Sequence, residues 1–373
     1  MKKGIKIFTI LCLTLLLTAP SFAEGKHDRG LFWLTLLHNN DGESQLINAG
    51  SGVEDFGGAA RFTTVVRKAR FQAKFGHSLR HRKGKSKMGV ITLSSGDNFL
   101  AGPEFNASLE KGVPLYDSIL VSLIRYDALA LGNHEFDFGP DILEDFISGI
   151  WGRAKFLSAN LDFSNEPGLQ ALADDGRIAK STIVREGGER IGVVGATTEN
   201  LPFISSPRNV IVNAVAPAVQ AEIDKLTHRG VNKIVLISHL QSVNEDLTLL
   251  LQLKGVDIAI AGGGDEVLAN PGDLLVPGDE EEIFGPYPLE GEDAEGNFIP
   301  VVTTSGNYKY LGRLVVAFNK RGKVVEIDRN LTGTVQGNFG ERCIPSRVYG
   351  WALCSNFGIY YGVRSRFTAS TTG

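Results

Sequence analysis

Gly132-Asn133-His134-Glu135-Phe136-Asp137-Phe138-Gly139 is the stretch that decides how this chain folds. It follows a short apolar run at residues 128–131 that reads as a buried strand. A strand that ends in Gly and then presents Asn, His and two acids puts polar groups just beyond its carboxyl end. Open α/β sheets collect ligands there. His134 and Asp137 are three residues apart, a spacing that allows the acid to orient the imidazole as a proton donor.

The same event recurs four times along the chain. His38-Asn39-Asn40-Asp41-Gly42-Glu43 follows the apolar run 31–37, and Ser94-Ser95-Gly96-Asp97-Asn98 follows 90–93. Ser238-His239 follows 234–237, and Gly262-Gly263-Gly264-Asp265-Glu266 follows 258–261. Singly, each is an ordinary turn, a helix cap or a solvated acid. Five polar clusters at successive strand ends are hard to explain as turns. Converging Asp, Asn and His side chains make a divalent-metal site, and two such ions can clamp a phosphoryl group and generate a nucleophile from water near neutral pH. A carboxylate such as Asp97 can bridge the pair.

Between these clusters the pattern alternates. Helix-like stretches at 56–75, 114–125, 141–150, 215–229 and 244–253 separate strand-like runs at 89–93, 191–195, 233–237, 257–261 and 301–303. That alternation predicts an α/β core with buried strands. Residues 269–298, rich in Pro, Gly, Asp and Glu, read as a long surface loop. The basic run at 80–87 reads as a solvated loop. No internal repeat of fixed period is present.

The order of the blocks resembles the calcineurin-like metallophosphoesterases, and their 5′-nucleotidase branch in particular. The 132–139 run matches that branch's signature without a gap. Phe56-Gly57-Gly58-Ala59-Ala60-Arg61, Ser158-Ala159-Asn160-Leu161, Ile191-Gly192-Val193-Val194-Gly195 and Tyr310-Leu311-Gly312-Arg313 also fit, so the resemblance spans about residues 31–330. It implies a four-layer α/β/β/α sandwich. It makes Asp97 the bridging ligand, Asn133 and His239 ligands of one ion, and Asp41 a ligand of the other. His134 becomes the transition-state stabiliser and proton donor, oriented by Asp137. The implied reaction is hydrolysis of a phosphate ester, with nucleoside monophosphates as the leading substrate class. Cyclic nucleotides, sugar nucleotides and simple phosphomonoesters are the alternatives.

Two positions depart from the family pattern. Asp-x-His is replaced by Asp41-Gly42-Glu43, and the histidines of Gly-His-x-His fall on Gly263 and Asp265, with Glu266 as an alternative ligand. One ion would then see Asp41, Glu43, Asp97 and Asp265. Exchanging imidazole for carboxylate hardens a site and favours Mn, Mg or Ca over Zn. The rival reading is a secreted phosphate- or metal-binding protein without turnover.

The chain has 373 residues, 43% hydrophobic and 21% charged, which excludes disorder as a whole-chain reading. A formal net charge of -4 argues against a nucleic-acid binder. Lys2, Lys3 and Lys6, an apolar run at 7–17 and the small residues Ser21 and Ala23 form a signal-peptide pattern ending at Ala23. The run is too short for a comfortable membrane span. The protein is therefore expected to be exported, periplasmic or secreted, without a stable membrane anchor. Residues 24–335 are expected to form the catalytic domain. Residues 336–373 read as a short tail without a base-binding domain, in which Cys343 and Cys354 could pair.

Overall fold

The computed structural model describes residues 30–80, 86–152, 154–336 and the short paired segments 344–345 and 352–353. The expected leader at 1–23, the basic residues 81–85, and Cys343 and Cys354 lie outside the described residues.

Two sheets carry the fold. In the first, the strand order is Val324–Ile327, Tyr310–Phe318, Phe32–Asn39, Lys87–Ser94, Ala128–Ala130, Lys155–Leu157 and Ile178–Ala179, with Gly333–Gln336 also paired to Tyr310–Phe318. The five strands from Phe32 to Ala179 run parallel. Tyr310–Phe318 joins them antiparallel. The second sheet runs Leu289–Glu292, Phe298–Val302, Ile258–Gly262, Ile234–His239, Glu189–Thr197 and Ser181–Glu186.

Phe32–Asn39 is buried at all eight positions, which is why its sequence shows no polar alternation. Its two faces serve two cores. Leu34 and Leu36 meet Val193, Ile237 and Ile260 between the sheets. Leu37 points the other way, toward Phe62 and Val66 of the helix Ala59–Arg80. Beyond the second sheet, Val194, Leu236 and Ala259 pack on Val219 and Ile223 of Val215–His228 and on Leu249 and Leu250 of Val243–Leu250. The result is helices, sheet, sheet, helices: the four-layer sandwich that the motif order implied. Truncating a fully buried intersheet residue such as Leu36 to Ala would cost about 2–5 kcal/mol. Gly195 lets the sheets approach, since a Cβ there would collide with the Leu157 carbonyl.

One expectation is corrected. Residues 269–298 are not a plain loop. Ile283–Gly285 pairs with Val267–Leu268, and Leu289–Glu292 forms an edge strand against Phe298–Val302. The stretch is too polar to read as a strand, but the open edge at Phe298–Val302 supplies hydrogen-bond partners that outweigh propensity. Among the described residues, no helix is long and apolar enough to cross a membrane.

The parallel order is what positions the site. Asn39 sits level with Ser94 in the first sheet. His239 sits level with Thr197 and Gly262 in the second. These carboxyl ends are tied across the sandwich. The Ser95 hydroxyl donates to the carbonyl of Ser238 (2.7 Å), with that of Ile260 also within reach (3.1 Å), and the Thr197 hydroxyl donates to Leu131 O (2.7 Å).

Candidate metal centre

Asp41, Asp97 and His239 come together at this shared edge. Each is buried, and each offers a ligand atom within 4.8 Å of the other two. Asn133 joins them, with its Oδ1 3.1 Å from His239 Nε2. His239 is delivered by the end of Ile234–His239, Asp41 and Asp97 by the turns after Phe32–Asn39 and Lys87–Ser94, and Asn133 by the turn before the short 3-10 helix His134–Phe136.

The donor chemistry fits a divalent cation. Nδ1 of His239 lies 2.7 Å from the Ser95 carbonyl, an acceptor, so Nδ1 carries a proton. Its Nε2 then faces Asp97 Oδ2 at 2.8 Å and Asn133 Oδ1 at 3.1 Å, with Asp41 Oδ1 at 3.9 Å. Three oxygens and a ring nitrogen thus aim their lone pairs at one small volume, which only a cation or a shared proton can satisfy. Without an ion there, protons would fill that role. Burial opposes the His239 charge, but Asp97 and Asp41 outweigh it and hold its pKa at about 10. Burial, reinforced by Asp97, pushes Asp41 to about 8.

Strain marks the same turns. Asp41, Glu43, Ser44 and Asp97 all have φ between 52° and 55°, in the left-handed region that non-glycine residues rarely adopt. Backbone pairing holds them there: Asp41 N donates to Gly96 O, Glu43 N to Asp97 O and Ser44 N to Asn98 O. The Ser44 hydroxyl donates to buried Asp117 at 2.8 Å. Gly132 packs against the Asp97 carboxylate so closely that a Cβ would occupy its place.

Glu43 and Asp265 stand apart from the tight group. Glu43 is half-buried, and burial, followed by the charges of Asp97 and Asp265, lifts its pKa to about 7. Asp265 is exposed. Glu266, the alternative ligand, has one of its two oxygens engaged. Its Oε1 accepts Val243 N at 3.0 Å at the start of Val243–Leu250.

Beside the cluster, His134 Nδ1 lies 2.6 Å from Asp137 Oδ2, and its Nε2 lies 3.9 Å from Asp97 Oδ2. Asp137 Oδ1 accepts the Ser205 hydroxyl at 2.8 Å. Burial lowers the His134 pKa, but the Asp137 hydrogen bond and the charges of Asp97, Asp137 and Glu43 overcome it and raise it to about 9.

Three supporting residues were not among the candidates read from the sequence. Glu135, fully buried, accepts Gly132 N (2.7 Å) and Asp97 N (3.0 Å) on one oxygen, and Asn98 N (2.7 Å) and Asn98 Nδ2 (3.0 Å) on the other. It clamps the turn carrying Asp97 to the turn carrying Asn133. Asp117 does the same for Ser44, and Gln241 Nε2 donates to Asn133 Oδ1 at 2.8 Å. Only the position of Glu135 inside the 132–139 run hinted at a role. The other two lie far along the chain from the residues they hold.

The geometry has known counterparts. No protein-family model matches the chain. The snake venom 5′-nucleotidase of Naja atra is 32% identical over 310 residues, covering 81% of this chain and 53% of the venom protein. The crystal structure of a 5′-nucleotidase precursor from Thermus thermophilus superposes with a TM-score of 0.68 at 33% identity, over 82% of this chain and 54% of that one. The calcineurin-like phosphoesterase YfkN of Bacillus subtilis shares the fold at TM-score 0.55 and 19% identity, over 82% of this chain and 90% of its own. The chain spans about half the length of the nucleotidases it matches. By sequence the chain is a relative of the 5′-nucleotidases over about half their length, and it shares its fold with a calcineurin-like phosphoesterase.

Proposed function

We propose that this protein is an exported, metal-dependent phosphoesterase that hydrolyses nucleoside monophosphates, with residues 24–335 as its catalytic unit. The observation that carries the reading is the convergence of Asp41, Asp97, His239 and Asn133 on one volume, with the His134–Asp137 pair at its rim. Asp97 would bridge two divalent ions, Asn133 and His239 would hold one, and Asp41, flanked by Glu43 and Asp265, the other. Bound there, such ions supply charge to neutralise phosphoryl oxygens and an acidified water as nucleophile.

The chain's own residues do the rest. Against the protein's own charges His134 has a pKa near 9 and is protonated at neutral pH, a value that ions bound beside Asp97 would lower. Asp137 holds the Nδ1 side at 2.6 Å, which leaves the Nε2 proton free to meet charge developing on the phosphoryl or leaving oxygen. Export is supported by the leader pattern at residues 1–23 and by the venom origin of a relative.

The test is turnover of AMP and of a generic aryl phosphate by the purified chain with Mn, Mg, Ca and Zn in turn. Turnover with at least one metal, lost in Asp97→Asn and lowered about 10²- to 10⁴-fold in His134→Ala, is expected. Measurable metal binding without turnover on any substrate would replace this reading with a non-catalytic secreted binder.

A further inference from the structure

Gln241 combines two facts that belong together. Its backbone has φ 127°, a conformation suited to glycine, and its side-chain Nε2 donates to Asn133 Oδ1 at 2.8 Å. It follows His239 by two residues, at the turn leading from that strand into the helix Val243–Leu250. A glutamine in the left-handed half of the map is strained, and such strain persists only where the surroundings impose it. The surroundings here are tight. A Cβ on neighbouring Gly263 would approach Gln241 N to 3.0 Å, so the turn has little room to relax.

The hydrogen bond explains what the strain achieves. An asparagine amide is nearly symmetric in shape, and its two ends differ only in what faces them. Asn133 Oδ1 lies between Gln241 Nε2 at 2.8 Å and His239 Nε2 at 3.1 Å. A donor on one side of Oδ1 fixes the amide with its oxygen toward His239 and Asp97. Once His239 Nε2 is given over to an ion, Gln241 is the donor among the described residues that holds Oδ1 in this direction; without it the amide is free to turn its NH₂ toward the same space, and an NH₂ repels a cation.

We propose that Gln241 is a positioning residue that locks the Asn133 amide in its ligating orientation, and that the chain bears a strained backbone to keep it there. This goes beyond the metal-site reading and rests on it, because an amide orientation matters only if Asn133 ligates. Partners of ligating groups commonly change metal affinity by 10- to 100-fold when removed.

The proposal sets stability and metal affinity in opposition, which a merely structural residue would not do. Gln241→Gly relieves the backbone and removes the donor. In chelator, its thermal midpoint is expected to rise by about 2 °C, since the relief exceeds the added chain entropy of glycine. In Mn titrations by calorimetry, its affinity is expected to fall at least about tenfold. Gln241→Met keeps the strained backbone and roughly the size, but it offers Asn133 no donor and adds no charge beside the ion. It should lose affinity to a similar degree with its chelated midpoint little changed. If wild type binds Mn and both variants bind it as tightly, the positioning role is wrong while the metal site stands. If Gln241→Gly loses midpoint together with affinity, Gln241 is a structural residue and the proposal fails. If wild type itself does not bind Mn, the metal-site reading fails first, and this inference fails with it.

Discussion

The Nδ1 of His239 bonds the main-chain carbonyl of Ser95 at 2.7 Å, across the two sheets. That contact commits Nε2 to the acid cluster and makes the second sheet part of a site built mostly by the first. It also has a consequence for protons. In the metal-free protein the pKa of His239 is held near 10 and that of Asp41 near 8. Protons therefore occupy the cluster at neutral pH, and a cation must displace them. Metal affinity is expected to climb as pH rises from about 7 toward 10. Binding at pH 7.5 should release about one proton or more per ion. Calorimetric titration of Mn in two buffers of different ionisation enthalpy measures that release directly. An affinity independent of pH over this interval would contradict the proton-filled cluster.

His134 titrates through a different neighbour. Asp137 is its main support against burial, and with the protein's own charges alone the pKa is raised to about 9. The basic limb of the rate profile should report loss of that proton. Asp137→Asn removes the carboxylate charge, so the imidazole should lose its proton more easily. The limb is then expected to move toward lower pH by about one unit or more, with lowered turnover at pH 8. Profiles of kcat/KM against pH for the two proteins decide it. An unmoved limb would assign the titration to another group.

The carboxylates at Glu43 and Asp265, where the family pattern has histidine, bear on metal choice. Oxygen donors suit Mn, Mg and Ca, whereas imidazole suits Zn. Restoring one imidazole by Glu43→His is expected to raise Zn affinity relative to Mn by about tenfold. Competition between the two metals, read by a fluorescent chelator, gives the ratio. The asymmetry of the two positions matters here. Glu43 is half-buried and feels Asp97, whereas Asp265 is exposed, so the same exchange at Asp265 should have the smaller effect.

How much of this could be read from the chain follows from where the information lies. The α/β core was legible because strands buried on both faces, such as 32–39 and 234–239, write continuous apolar runs, and the four layers were implied by the family resemblance of the motif order. The ligand candidates were legible because polar clusters interrupt those runs at the same end. The edge strand Leu289–Glu292 was not, because its stability comes from pairing with Phe298–Val302 and its composition is that of a loop. Nor could the sequence show that Asp41, Glu43, Ser44 and Asp97 would share a left-handed backbone, since none is glycine. Nor could it show that Glu266, an acid after a strand, accepts Val243 N through Oε1 at the start of the next helix.

Glu135 tests the idea that a buried acid can serve the site without touching it. Its carboxylate accepts four N–H groups from Gly132, Asp97 and Asn98. Gln in its place turns one acceptor into a donor that faces other donors. With charge-assisted bonds lost and a buried donor unpaired, Glu135→Gln should cost about 3 kcal/mol of stability in urea unfolding. Because Asp97 and Asn133 are both tethered through it, metal affinity should fall in the same variant. A variant that kept both properties would show that the backbone pairing of these turns is sufficient alone.

Far from the site, Asp257 gives the fold a pH dependence of its own. Its Oδ2 accepts Ile234 N at 2.9 Å at the entry to the strand that ends in His239. Burial raises its pKa to about 7, against roughly 4 in an unfolded chain, and Lys323 at 3.8 Å offsets that only in part. The folded state thus binds this proton more tightly than the unfolded one. The stability it brings is complete below about pH 4 and is lost as pH rises through 7. Asp257→Asn keeps an acceptor for Ile234 N and removes the charge. Relative to wild type, the variant is expected to gain about 2–4 kcal/mol in unfolding free energy between pH 4 and pH 8. Urea unfolding of both proteins at pH 4.5, 6 and 8 measures the difference. A gap that stays constant across these pH values would show that Asp257 is ionised throughout, its burial offset by the two nearby lysines, Lys323 and Lys233.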